Sequence, residues 1–183
     1  MTALVIPPYA SSDSTSVSAA LGHTLQSLGE EITVAESCTG GLLAAALTEV
    51  PGASQWFACG WVAYANWAKQ QELGVTATLI SENGVVSGAV VEAMARGACQ
   101  QARAQLGLAI SGIAGPDGGT PGKPVGTVWM AAYYLPRSAP DATPRDFLQV
   151  EQHHFPGNRT QIRHAAVLAA LNLGLTLLNR AHQ

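Results

Sequence analysis

The spacing of apolar residues changes several times along the chain, and each change marks an element. Val17, Ala20, Leu21, Leu25 and Leu28 recur at helical intervals, which predicts a helix closed by Gly29. Ile32 to Ala35 is a short continuous apolar run, the pattern of a buried strand, and Leu42 to Glu49 is helix-forming until Pro51 and Gly52 stop it. Trp56 to Ala65 predicts a strand that runs into a short helix over Asn66 to Leu73. Ser87 can cap a helix that gathers Val90, Val91, Met94, Ala95 and Ala98 on one face and ends near Gly107. Leu108 to Ile110 is a further strand, and it opens into a loop with five glycines between Gly112 and Gly122. Val125 to Leu135 and Phe147 to Phe155 read as a strand pair joined through Pro136, Pro140 and Pro144, and Gly157 and Asn158 start a last helix running through Leu178. Strands that alternate with helices predict an α/β protein, a single-domain three-layer α/β/α sandwich; the adjacent strand pair makes its sheet mixed. Residues 1–16, rich in Pro and Ser, are expected to form a flexible extension ahead of a domain spanning 17–183.

Composition narrows this picture. The chain has 183 residues and is 48% hydrophobic, but only 11% charged against about 25% in an average soluble domain. Disordered and coiled-coil classes are thereby excluded, and the scarcity of charge leaves room for surface buried against another copy of the chain. A net charge of −3 argues against a basic face for nucleic acid. Cys38, Cys59 and Cys99 are odd in number and widely spaced, as expected of reduced thiols in a cytoplasmic protein. The first residues lack the basic and apolar regions of a signal peptide, and no unbroken apolar run approaches the ~18 residues of a membrane span, so no membrane role is expected.

Three stretches carry candidate chemistry. Glu36-Ser37-Cys38-Thr39-Gly40-Gly41 places a hydroxyl between a strand end and a helix start, where N–H groups can receive an oxyanion or phosphate; a capped turn with packing glycines is the plainer alternative. Cys38 has no neighbouring base and reads better as a packed thiol than as a nucleophile. Tyr64-Ala65-Asn66-Trp67-Ala68-Lys69 holds one of only two lysines; Lys69 can act as a base only if burial or a cationic neighbour lowers its pKa by several units, and otherwise is a surface lysine. Ser111-Gly112-Ile113-Ala114-Gly115-Pro116-Asp117-Gly118-Gly119 suits a nucleotide phosphate or sugar, or simply a tight turn. It lacks the Lys-Ser/Thr ending of a P-loop. Arg159 and Arg163 stand four apart on one helix face, which fits a phosphate pair or a solvated face. His153 and His154 are adjacent in a strand and so point to opposite faces, and no cluster has metal-ligand spacing.

Taken in order, these motifs resemble the C-terminal domain of the competence/damage-inducible (CinA) protein family, whose stand-alone form is a nicotinamide-nucleotide amidase. The resemblance rests on Ala35-Glu36-Ser37-Cys38-Thr39-Gly40-Gly41, Tyr64 to Lys69 with Leu73-Gly74-Val75, Val86-Ser87, Ile110 to Gly119, Lys123 to Val128, and Phe155-Pro156-Gly157-Asn158-Arg159. It covers the chain from about residue 17 to the end. It implies hydrolysis of the carboxamide of nicotinamide mononucleotide to nicotinate mononucleotide and ammonia, without metal or cofactor. By motif, Ser37 is the implied nucleophile, Lys69 its base and Tyr64 a helper that positions or relays the proton. N–H groups near Thr39, Gly40 and Gly41 are the implied oxyanion donors, while Ser111, Gly112, Gly115 and Arg159 contact the nucleotide. A homodimer or higher homo-oligomer is implied as well. Ala65 stands where the family usually has Ser or Thr, and Asn158 where it commonly has Asp. The large N-terminal domain of two-domain relatives has no counterpart here, so the pyrophosphatase activity linked to it is expected to be missing. A non-catalytic nucleotide-binding module built from the same loops is the competing expectation; it would have no need of Lys69.

Overall fold

A computed structural model describes residues 13–137 and 145–183. Along the chain come α1 (Ser14–Leu28), β1 (Ile32–Glu36), α2 (Leu42–Thr48), a 3-10 turn (Ala53–Gln55), β2 (Phe57–Val62), α3 (Asn66–Leu73), α4 (Ala77–Asn83), α5 (Gly88–Ala102), β3 (Leu106–Gly112), β4 (Thr127–Tyr134), β5 (Phe147–His154) and α6 (Arg159–Ala181). The sheet has the order β2-β1-β3-β4-β5. β1 runs parallel to β2 and β3, whereas β3–β4 and β4–β5 are antiparallel, so the sheet is mixed as expected.

Side-chain alternation divides the core in two. Ile32, Val34, Leu106, Leu108, Ile110, Val128, Met130, Ala132 and Tyr134 point to the face covered by α1, α2 and α6. Ala35, Ala109 and Ala131 stand in register across β1, β3 and β4 on the opposite face, beneath Val90, Val91, Met94, Ala95 and Ala98 of α5. Three alanines in a row let α5 approach the sheet closely. At Gly97 the contact tightens further, because a Cβ there would overlap the Leu73 carbonyl oxygen at the end of α3. α3 is thereby held against α5, and α3 carries Lys69.

The element boundaries differ from expectation in several places. Ser14–Ser16, read from sequence as the end of the extension, form the first turn of α1, because the Asp13 carboxylate accepts from Ser16 N at 3.0 Å and Thr15 N at 3.3 Å. Residues 1–12 of that extension, and Pro140 and Pro144 of the β4–β5 connection, lie outside the described residues. α4 had no apolar stripe to announce it; none of its residues is buried, and its start is set by Thr76, whose hydroxyl accepts from Leu79 N at 3.1 Å. α5 ends at Ala102 on a left-handed Arg103 (φ 57°), so β3 begins at Leu106 rather than Leu108. α6 has the length and hydropathy of a membrane span although it lacks an unbroken apolar run, but 56% of its most apolar window is buried inside the protein. Val167, Ala170, Leu171, Leu175 and Leu178 belong to the core, so the apolar content of α6 is accounted for by packing.

Candidate active site

At the C-terminal end of β1 the chain turns sharply. Ser37 N–H donates to Ile110 O at 3.0 Å, which ties the turn to β3, and Gly40 N–H donates back to Ser37 O at 3.1 Å. Gly40 (φ 60°) and Gly41 (φ 97°) then carry the backbone through the left-handed region, where a side chain would be strained. Glu36, fully buried, reaches under this turn. Its Oε2 accepts from Gly41 N at 3.0 Å and Leu43 N at 3.1 Å, and its Oε1 from Ala44 N at 2.9 Å. The start of α2 is therefore filled by the protein's own carboxylate.

This arrangement alters the expected donors. The N–H groups of Gly40 and Gly41 are engaged by Ser37 O and Glu36, so they do not face a ligand as the sequence suggested. Of the N–H groups from Ser37 to Gly41, those of Cys38 and Thr39 bond no other residue among the described residues, the Cys38 N–H interacting only with its own thiol. The Thr39 hydroxyl, also buried, has no partner either.

Lys69 arrives from α3. Its side chain is fully buried, and Nζ lies 3.1 Å from Ser37 Oγ, 2.7 Å from Ala63 O and 3.1 Å from Tyr64 O. A neutral amine has two N–H donors and one lone pair. In that form the two carbonyls take both donors and the lone pair faces the Ser37 hydroxyl, whereas in the ammonium form the third N–H donates to Ser37 Oγ. Burial lowers the Lys69 pKa below its usual value, opposed only by the Cys38 thiol nearby. Among the described residues no carboxylate forms a salt bridge with Lys69. Burial pushes the Cys38 thiol itself up to about 11, which keeps it protonated near neutral pH and makes it a poor nucleophile.

The rim comes from the far end of the chain. Asn158 starts α6 with a capping box: its side chain accepts from Gln161 N at 3.1 Å and the Gln161 side chain accepts from Asn158 N at 2.8 Å. That cap fixes where Arg159 and Arg163 project. Arg159 donates to Gly115 O at 2.8 Å and to the Tyr64 hydroxyl at 3.0 Å. The Tyr64 hydroxyl thus accepts from Arg159 and contacts neither Ser37 nor Lys69 among the described residues; it is the Tyr64 carbonyl that touches Lys69. Arg163 donates to Thr39 O at 2.6 Å. Like Lys69, neither arginine has a carboxylate partner among the described residues, so three basic groups meet around Ser37 in a chain of net charge −3.

The glycine loop is placed differently from the serine turn. Ser111 is buried and its hydroxyl donates to Val85 O at 2.9 Å, while Gly112 is paired with Val128 in the sheet; both are committed to structure. Gly115 meets the site through its carbonyl. Lys123, the second lysine, donates to Val86 O at 2.7 Å and Asn83 O at 3.3 Å, clamping the loop onto the α4–α5 turn. His153 bonds Glu151 at 2.8 Å and stacks on Phe155, far from Ser37 in the sheet order. No group of three His, Cys, Asp or Glu able to hold a metal ion occurs among the described residues. The role of Glu36 was missed from sequence. Glu36 sat inside the quoted motif, yet nothing local showed that its carboxylate folds back on α2.

A mixed five-stranded sheet with a serine turn at one strand end and a buried lysine against it defines a three-layer α/β domain with a preformed hydroxyl–amine pair. The chain belongs to the CinA C-terminal domain family, whose model matches residues 14–178. It is 44% identical over 158 residues to the nicotinamide-nucleotide amidohydrolase PncC of Pseudomonas putida, covering 86% of this chain and 92% of that enzyme. Its identity to the PncC of Escherichia coli K12 is also 44%, over 82% of this chain and 86% of that one. Against the CinA-like protein of Syntrophotalea carbinolica it spans only 34% of the relative's length. Among solved structures, the competence/damage inducible protein CihA from Agrobacterium tumefaciens superposes with a TM-score of 0.81 at 37% identity, covering 92% of this chain and 97% of that one.

Proposed function

We propose that the protein hydrolyses the carboxamide of nicotinamide mononucleotide, using Ser37 as nucleophile and Lys69 as general base. The observation that carries this reading is the 3.1 Å contact between Ser37 Oγ and a fully buried Lys69 Nζ whose other two partners are carbonyls. The identity to amidohydrolases named for this substrate supports the choice of nucleotide.

In the first half-reaction Ser37 Oγ bonds to the amide carbon while Lys69 takes the hydroxyl proton. The oxyanion forms beside the N–H groups of Cys38 and Thr39, where each such donor contributes about 2.7–4 kcal/mol in comparable enzymes. The C–N bond then breaks, the proton on Lys69 leaves with the nitrogen as ammonia, and an ester remains on Ser37. Water adds to that ester, again giving its proton to Lys69, and Ser37 Oγ recovers the proton as nicotinate mononucleotide departs. Arg159 suits the substrate phosphate: it is exposed, unpaired with any carboxylate among the described residues and fixed by Gly115 and Tyr64. Three free cysteines agree with a cytoplasmic setting, and the low charge content with a homo-oligomer.

Ammonia release from nicotinamide mononucleotide by the wild type, Ser37→Ala and Lys69→Ala tests the proposal. Turnover by the wild type and its loss in both variants is the expected result. A wild type that binds the nucleotide without releasing ammonia makes the protein a binding module and overturns the reading.

A further inference from the structure

Glu36 holds the serine turn from beneath, and Arg163 of α6 holds it from the other side of the chain. Arg163 Nη2 donates to the Thr39 carbonyl at 2.6 Å, a shorter contact than the 3.4 Å bond that the same oxygen receives from Leu42 N. The Thr39 carbonyl shares its peptide plane with Gly40 N–H, which in turn closes the turn onto Ser37 O at 3.1 Å. Pulling on that oxygen therefore sets the rotation of the plane, and with it the direction of the preceding N–H groups of Cys38 and Thr39. Space around the contact is tight, since a Cβ at Gly40 would lie 3.2 Å from Arg163 Nη2. The Arg163 side chain is only partly exposed and its Nε is buried without a partner, so it offers little to a substrate phosphate in comparison with the exposed Arg159.

We infer that Arg163 is a positioning residue: through the Thr39 carbonyl it aims the Cys38 and Thr39 N–H groups at the oxyanion formed on attack by Ser37. The inference rests on the serine-nucleophile reading above. Its distinguishing consequence is a division of labour along one helix face. Arg159 acts on substrate binding, whereas Arg163, one turn later, acts on the transition state without touching substrate.

The test compares Arg163→Lys, Arg163→Gln and Arg163→Met in two assays. One follows ammonia release from nicotinamide mononucleotide. The other follows labelling of Ser37 by a fluorophosphonate, in which Oγ bonds to phosphorus, fluoride leaves and Lys69 takes the proton; this needs the oxyanion donors but not the natural substrate. Arg163→Met is expected to lower kcat and the labelling rate together by about 10- to 100-fold, with KM changed by less than about threefold. Arg163→Lys, which keeps a cationic donor for Thr39 O, is expected to recover to within about fivefold of wild type, and Arg163→Gln to fall between them. Thermal melting confirms that the variants compared are folded, and Arg163→Gln serves if Arg163→Met is not. Labelling at the wild-type rate in folded Met and Gln variants overturns the inference, as does a rise in KM equal to the fall in kcat. A wild type that is labelled but releases no ammonia overturns the substrate assignment alone, and the labelling series still decides the role of Arg163. A wild type that does neither overturns both.

Discussion

Glu36→Ala removes an acceptor on which three backbone N–H groups depend. The bonds lost are those from Gly41, Leu43 and Ala44, at 3.0, 3.1 and 2.9 Å, made to a side chain with no exposure of its own. Hydrogen bonds to a charged group contribute about 1.5–3 kcal/mol each, but these three do not add in full. Leu43 is buried and its N–H is left without a substitute, whereas Gly41 and Ala44 are half-exposed and regain water. The expected loss is about 3–5 kcal/mol, comparable to breaking a buried charged pair. Glu36→Gln grades the effect. Its amide oxygen can take the place of Oε2 and keep two of the three donors, but its NH2 then faces the Ala44 N–H, a donor against a donor. A loss of about 1–2 kcal/mol is expected. Urea unfolding at pH 7 measures both, with an unchanged dependence on denaturant showing that the two-state comparison holds. Because the same bonds hold the serine turn, kcat for ammonia release from the folded variants is expected to fall in the same order. An Ala variant within about 1 kcal/mol of wild type, or a Gln variant as damaged as the Ala variant, refutes the claim that this carboxylate organises the turn.

Three further predictions concern the supports of the site. Gly97→Ala should gain about 1 kcal/mol of helix propensity in α5, but the new Cβ overlaps the Leu73 carbonyl and overpacking costs about 1–3 kcal/mol; net destabilisation with reduced turnover is expected, and a stabilised variant would show that α3 and α5 separate easily. Lys69→Met removes a buried amine whose folded pKa lies below its unfolded value. Between those two values the unfolded chain binds the extra proton, so wild-type stability should rise with pH toward the unfolded value of 10.5 and its deficit against the Met variant should shrink. Urea midpoints that run parallel for the two proteins from pH 6 to 10 would contradict a lowered lysine pKa. Arg159→Ala should raise KM for the mononucleotide at least tenfold, about 1.4 kcal/mol, while changing KM for the phosphate-free riboside little; equal rises for both would reject a phosphate contact.

What the sequence by itself determined is local. Apolar spacing located each of the strands to within a few residues and every helix that buries a face, because a buried stripe has to repeat with the period of its backbone. α4 buries nothing and so left no such trace. The Glu36 to Gly41 motif was legible as a strand-to-helix turn because glycines and a hydroxyl in that order have few other uses. The resemblance to a known family then attached roles to Ser37, Lys69, Tyr64 and Arg159, which composition and spacing left open. Tertiary structure decided the pairings. Ser37 and Lys69 are 32 residues apart and Arg159 and Tyr64 are 95 apart, and no periodicity encodes which side chain meets which. It also decided which groups were free to act. Gly40, Gly41 and Ser111 carry the right chemistry, but their donors are already used by Ser37, Glu36 and Val85, whereas no other residue among the described ones claims the Cys38 and Thr39 N–H groups. A hydrogen-bonding group is available only when its neighbours in space have left it unsatisfied, and those neighbours are set by the packing of α6 and α3 around the sheet.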